Sequence, residues 1–336
     1  MTNTASPMAP AAADRARPSG PVLITGCPRS GTTFVGSIFE ASRDIFEVYE
    51  PFNHAFTYNL QLPGRFFRIT DENAKAYRPR FDRLLQLSSL HSRLAMLPKG
   101  VTERRKPKSN QELASTLALK KLYNKPGCFL TGKRLSLKDP LAFFSAEWLA
   151  KTYDMPVIVM ARHPGGVVSS FLKLGWPPET PDIVDYPLPV SKGALDREIA
   201  AWRANPNDTV GALILQWKIF TQHTLDLKKR HPDWKFALHR DVCTYPEEVM
   251  RDMFDYAGVE FTPQVAEGLR QNTQADVVDT KEAIQHALTR NSSELPSAWV
   301  RRVDPDIARR ITTETEELWD RAQRELSYQP AEPSLA

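Results

Sequence analysis

The chain has 336 residues, 41% of them hydrophobic, and a formal net charge of +4. That length and apolar share support one large α/β domain or two small ones, and the mild basicity suits anionic small ligands while excluding a nucleic-acid-binding signature. No apolar run approaches the ~20 residues that span a bilayer, and three dispersed cysteines (Cys27, Cys128, Cys243) give neither a disulfide framework nor a metal spacing.

Residues 1–20 are Ala, Pro, Ser and Thr with Arg15 and Arg17, and lack the apolar core of a signal peptide. They read as a disordered tail, followed by one domain over 21–328 and a short flexible tail over 329–336. A reducing, cytoplasmic setting fits the cysteine usage.

The domain begins with the most informative stretch, Pro21–Glu50. An apolar β-branched run (Val22, Leu23, Ile24) meets a loop containing Gly26, Pro28, Ser30 and Gly31, after which Phe34, Val35, Ile38 and Phe39 recur at helical spacing. Strand, tight loop and helix cradle a phosphate: loop amides point inward and the helix N-terminus adds positive potential. Arg29, Ser30, Gly31, Thr32 and Thr33 are the predicted anion contacts. The spacing nearly matches the nucleotide pattern G-x-x-x-x-G-K-[ST], but Thr32 stands where the lysine belongs. A kinase leans on that lysine and on Mg²⁺, so this loop is poorly suited to γ-phosphoryl transfer.

A short second strand over Ile45–Val48 leads into Glu50-Pro51. Residues 72–97 carry a helix with Phe81, Leu84, Leu85, Leu87 and Leu90 on its apolar side. Residues 99–108 form a charged, proline-interrupted loop, either a solvated excursion or a basic lip for an acidic acceptor. Leu135–Lys138 reads as a strand, Asp139 as an N-cap and Pro140 as the first helical residue. Val157–Met160 is continuously apolar, as in a parallel sheet covered on both faces. It runs into Arg162-His163-Pro164 and a helix, and residues 175–192 read as Pro-rich and irregular. A long amphipathic helix over Thr209–Lys229, a strand over Trp234–His239, a helix over Pro246–Ala257 and a last helix over Asp304–Leu326 follow. The sum is an α/β fold: a P-loop-like doubly wound sheet, mostly parallel, with helices on both faces. Ligand then sits at the carboxyl ends of the strands, where Gly26, Lys138 and Arg162 fall.

Pro28-Arg29-Ser30-Gly31-Thr32-Thr33 resembles the loop of sulfotransferases that use 3′-phosphoadenosine 5′-phosphosulfate (PAPS), where it binds the 5′-phosphosulfate. Tyr49-Glu50-Pro51-Phe52 followed by His54 is similar to the F/Y-E-P-x-W-H stretch of carbohydrate 6-O-sulfotransferases. Arg162 and Ser170 match the family's R-x-P-x-x-V-x-x-S pattern, a pair that holds the 3′-phosphate in relatives; family spacing selects Ser170 over Ser169. A guanidinium that can fork a phosphate agrees with that role. Thr289-Arg290-Asn291-Ser292 with Trp299 resembles the late loop that closes over the 3′-phosphate, and gives Arg290 and Ser292 as further contacts beside the alternative of an ordinary Asn/Ser turn.

The resemblance implies PAPS as sulfuryl donor, no metal, and a small-molecule or glycan acceptor, foremost a carbohydrate hydroxyl. Lipid, phenolic or secondary-metabolite hydroxyls are the alternative acceptors, and a kinase or a nucleotide-binding protein without transferase activity the alternative classes. Lys138 and Arg29 are expected to stabilise charge in the transition state. Pro140 stands where cytosolic relatives carry a histidine base, which leaves Glu50, with His54 behind it, as candidate base. Pro51 biases Glu50 to an extended backbone that would project its side chain into the cleft. The domain carries no anchor like that of Golgi relatives, which implies a soluble bacterial enzyme.

Overall fold

The computed structural model describes residues 19–56, 58–88, 133–184, 193–274 and 297–329. Its centre is a five-stranded sheet in the order β2-β3-β1-β4-β5, with every pairing parallel. The strands are β1 (Val22–Gly26), β2 (Ile45–Tyr49), β3 (Arg134–Lys138), β4 (Val157–Ala161) and β5 (Lys235–Leu238). β1 and β4 are buried along their whole length, as their unbroken apolar runs require of strands covered on both sides.

The two faces hold separate cores. Val22, Ile24 and Met160 pack with Phe39 of α1 (Thr32–Glu40) and Met250 and Phe254 of the helix Pro246–Ala257, and the Phe39 and Phe254 rings stack at 4.2 Å. Leu23, Val157 and Val159 point the other way, toward Phe171, Trp217 and Phe220. Those three lie on the helices Pro164–Leu174 and Thr209–Arg230, and the latter packs against the C-terminal helix Pro305–Leu326. Among the described residues, no helix is long and apolar enough to cross a membrane.

From β1 the chain crosses to β2 on one side of the sheet; from β4 it continues to β5 on the other. A crevice therefore opens between the carboxyl ends of β1 and β4, at the point where the winding reverses. The loops after Gly26 and Ala161 flank it.

Local differences from the sequence reading have clear causes. The stretch 175–192 is not wholly irregular: Thr180–Val184 is a short helix, with Pro181 in its first turn, where a missing N–H is harmless. β5 ends at Leu238, and His239 already begins the helix His239–Thr244. Two further helices, Asp196–Ala204 and Pro263–Gln274, appear where none was read. The N-terminal tail before Ser19, Leu90, the basic stretch 99–108, Cys128, Arg290, Ser292 and the residues after 329 lie outside the described residues.

Candidate active site

The loop after β1 is held open by its backbone. Gly31 sits at φ 100 as the N-cap of α1, and a Cβ there would come within 2.8 Å of the His239 ring, so only glycine fits. Arg29 takes φ 70 without being glycine, a conformation that costs about 1–3 kcal/mol and must be held by its neighbours. Arg162 Nη1 donates to the Arg29 carbonyl at 2.8 Å, Arg29 Nε donates to Ser170 Oγ at 2.9 Å, and the Arg29 guanidinium lies 5.4 Å from the centre of the Trp176 ring. The loop and the Arg162/Ser170 motif, 133 residues apart in sequence, are thus one unit. Ser170 faces the loop, whereas Ser169 is buried with its hydroxyl unpartnered. Ser30 Oγ is also buried and without a partner among the described residues, Thr32 is buried, and Thr33 is half-buried.

The second part of the site is built by the register of β2 on β3. Tyr49 pairs with Lys138, and the Glu50 amide donates to the Lys138 carbonyl at 2.9 Å. Lys138 Nζ then donates to Glu50 Oε1 at 2.6 Å and lies 3.4 Å from the centre of the Tyr49 ring. Its aliphatic stem runs along Gly36 of α1, where a Cβ would meet Lys138 Cγ at 2.9 Å. Lys138 is wholly buried, while the Glu50 side chain keeps 16% exposure. Asn53 Nδ2 donates to the other carboxylate oxygen, Oε2, at 2.8 Å. Asp139 ties the two segments together: its Oδ2 accepts from the Phe52 amide at 2.6 Å and its Oδ1 from the Leu141 amide at 2.9 Å.

The family profile described as "Sulfotransferase family" matches residues 21–263, which span both parts of this site. The chain belongs to the sulfotransferase family. Solved structures similar to it include the sulfotransferase domain of the olefin synthase from Synechococcus PCC 7002, at 18% identity and a TM-score of 0.44 over 90% of this chain and 96% of that one. The sulfotransferase domain from the curacin biosynthetic pathway shows 17% identity and a TM-score of 0.44, covering 90% and 99%. Sulfotransferase STF9 from Mycobacterium avium shows 16% identity and a TM-score of 0.40, covering 91% and 78%. No curated protein matches the chain.

Within this sulfotransferase-family site, charge is arranged by burial and pairing. Burial pushes the Glu50 carboxyl up, but the Lys138 charge and the bonds from Lys138 and Asn53 outweigh it and hold Glu50 below the ordinary carboxylate range. Burial would lower Lys138; the Glu50 carboxylate overrides this and raises it. Asp139 is pushed up to about 7 by burial and by the nearby Glu50 charge, against the pull of its two amide bonds and Lys138. His239, against the loop, is held well below its usual value by burial and by Arg162, so it is neutral there.

One expectation is corrected. Glu50 is not extended but stands at φ 45, because a turn closes over it (the Asn53 amide donates to its carbonyl at 2.9 Å) and both carboxylate oxygens are tied down. These contacts override the steric bias of Pro51. His54 is exposed one residue beyond Asn53, and it is Asn53 that touches Glu50. Sequence reasoning missed Asn53, Trp176 and the ion pair of Arg65 with Glu179, whose charges act on Glu50. Asn53 could have been found as a polar neighbour of the Glu-Pro pair; the others have no local signal.

Proposed function

We propose that this chain transfers a sulfuryl group from PAPS to a hydroxyl of a small-molecule or glycan acceptor, foremost a carbohydrate. The observation that carries the reading is the junction of the glycine loop with the second motif: Arg162 bonded to the Arg29 carbonyl and Arg29 bonded to Ser170. Two anion-binding segments meet at one crevice, as a donor with phosphate groups at both ends of a ribose requires. The residues suit it. The cradle is kept clear by Gly31, and Ser30 Oγ is a buried hydroxyl with no partner among the described residues. Arg29 to Thr33 would hold the 5′-phosphosulfate and Arg162 with Ser170 the 3′-phosphate, with Arg290 and Ser292 as further contacts. When bound, PAPS supplies an activated sulfuryl group, chemistry that calls for no metal ion.

The chain's own residues supply the proton chemistry. Glu50 holds the acceptor hydroxyl and takes its proton at a carboxylate oxygen. Oε1 is occupied by the buried Lys138 ammonium, so Oε2, whose neutral Asn53 partner can be exchanged for a hydroxyl, is the oxygen that does so. Lys138 keeps Glu50 ionised and oriented; for it to touch the transferring group itself, that ion pair must open. Arg29, at the crest of the loop, is the cation placed to stabilise developing charge directly. The buried thiols of Cys27 and Cys243 fit a reducing cytoplasmic setting.

The test is transfer from radiolabelled PAPS, in EDTA, to a panel of glycans, lipid alcohols and phenols. Label on a glycan hydroxyl is expected. Phosphoryl transfer from ATP with Mg²⁺, and none from PAPS, would overturn the reading.

A further inference from the structure

Glu179, three residues beyond the Trp176 ring that faces Arg29, is a carboxyl that the proton chemistry above does not use. Glu179 is 9% exposed and sits between Trp176, against which Arg29 lies, and Thr180, whose hydroxyl donates to the Ala212 carbonyl of the helix Thr209–Arg230 at 2.6 Å. Its Oε1 is ion-paired with Arg65, on the segment that follows Glu50. Its Oε2 is buried and has no partner among the described residues. The Glu179 amide donates to Gln216 Oε1 at 2.8 Å, which fixes the orientation of that side-chain amide and leaves Nε2 as the remaining donor. Gln216 is wholly buried, and among the described residues Nε2 also has no partner.

One unmet acceptor and one unmet donor therefore occur on two bonded residues. Native proteins rarely leave such groups unpaired, because removal from water without a replacement bond is costly. Geometry ties the pair to the site: Arg29 lies against Trp176, three residues before Glu179, and Trp217, next to Gln216, donates from Nε1 to the Arg162 carbonyl at 2.9 Å. Glu179 is pushed up by burial first, then pulled down by Arg65 and raised again by Asp182 and Glu50, and its charge in turn acts on Cys27 in the phosphate loop. Arg65 likewise acts on both carboxylates.

We infer that Glu179 Oε2 and Gln216 Nε2 form an acceptor subsite that grips a second hydroxyl of a polyhydroxylated acceptor, Glu179 accepting its hydrogen bond and Gln216 donating one. A hydroxyl has both the donor that Oε2 lacks and an acceptor lone pair for Nε2. Arg65 holds Glu179 by its other oxygen and is a positioning residue. The inference rests on the sulfuryl-transfer reading and sharpens it: the acceptor is a polyol rather than a phenol or a simple lipid alcohol. A site built to bond a substrate hydroxyl rejects analogues that lack it far more strongly than an apolar pocket rejects a change of size.

The experiment compares methyl hexopyranosides with cyclohexylmethanol, which offers the same primary hydroxyl on a bare ring, and with 4-nitrophenol. Transfer from PAPS is followed in the wild type and in Glu179→Gln and Gln216→Met. Saturation-transfer NMR follows binding of the same compounds, with and without adenosine 3′,5′-bisphosphate. The wild type is expected to prefer a glycoside by at least ~10²-fold in kcat/KM. Both variants should lose most of that preference and the glycoside NMR signal while binding adenosine 3′,5′-bisphosphate as the wild type does. Equal use of cyclohexylmethanol by the wild type would overturn the inference with no variant needed. So would undiminished preference in both variants, which would mean that the pair holds only a buried water. If the wild type fails to bind adenosine 3′,5′-bisphosphate, the donor reading falls, and the NMR signal without nucleotide still decides the subsite.

Discussion

Replacing Lys138 by Met removes one charge and little volume at the centre of the site. The ammonium lies 2.6 Å from Glu50 Oε1 and is wholly buried. At that separation the gross attraction is roughly 6 kcal/mol for an effective dielectric constant of about 20. Desolvation of the ammonium offsets much of this in the intact pair, but the single variant strands Glu50 without its counter-ion, which costs about 3–5 kcal/mol. Urea unfolding followed by fluorescence should show that loss. Glu50 lies below its ordinary value, so its contribution is present above roughly pH 4.3 and is lost as pH falls through its lower folded value. Lys138 lies above its ordinary value, so its contribution is full below roughly pH 10.4 and is lost as pH rises through its folded value. The pair thus stabilises the fold across neutral pH. In Lys138→Met the acid limb of the rate profile should move up, because burial then acts on Glu50 unopposed by its ammonium. The double variant Lys138→Met/Glu50→Gln should be more stable than the sum of the two single losses, since no charge is left stranded. Simple additivity, with an unmoved acid limb, would refute the reasoning.

Glu50→Gln should fold and bind adenosine 3′,5′-bisphosphate but lose roughly 10²–10⁴-fold in kcat, while His54→Ala stays near wild type; steady-state kinetics of both variants would reverse the assignment if the losses were exchanged. Gly31→Ala places a Cβ at φ 100 against His239 and should cost about 1–3 kcal/mol and most of the nucleotide affinity, read by denaturation and calorimetry. Asp139, pushed up to about 7, favours the folded state fully below roughly pH 3.9, and this contribution declines as pH rises to about 7; a pH series of urea melts should lose that slope in Asp139→Asn.

The sheet was readable because β1 and β4 are short apolar runs and three strands lead into residues with a local role: Gly26 in the loop, Asp139 as a cap, Arg162 before Pro164. Asp139 caps the 3₁₀ turn that follows, and Pro164 opens its helix, as their positions in the sequence imply. The helix Asp196–Ala204 was not readable, since none of its residues is fully buried and no apolar stripe marks it. The site divides the same way. Loop contacts follow from local spacing, but the seating of Lys138 against Glu50 depends on the β2–β3 register and on Gly36. The left-handed backbone of Glu50 depends on bonds to Lys138 and Asn53, which outweigh the rule for residues before proline. Glu179 meets Arg65 across 114 residues, and no sequence period encodes such a contact.

Calorimetric titration with adenosine 3′,5′-bisphosphate in EDTA tests the central claim most directly, run on the wild type and on Arg162→Ala. Saturable one-site binding without metal is expected, weakened by about 1.5–3 kcal/mol when Arg162 is lost. Equal affinity in the two proteins, or binding that requires Mg²⁺ and favours ATP, would contradict it.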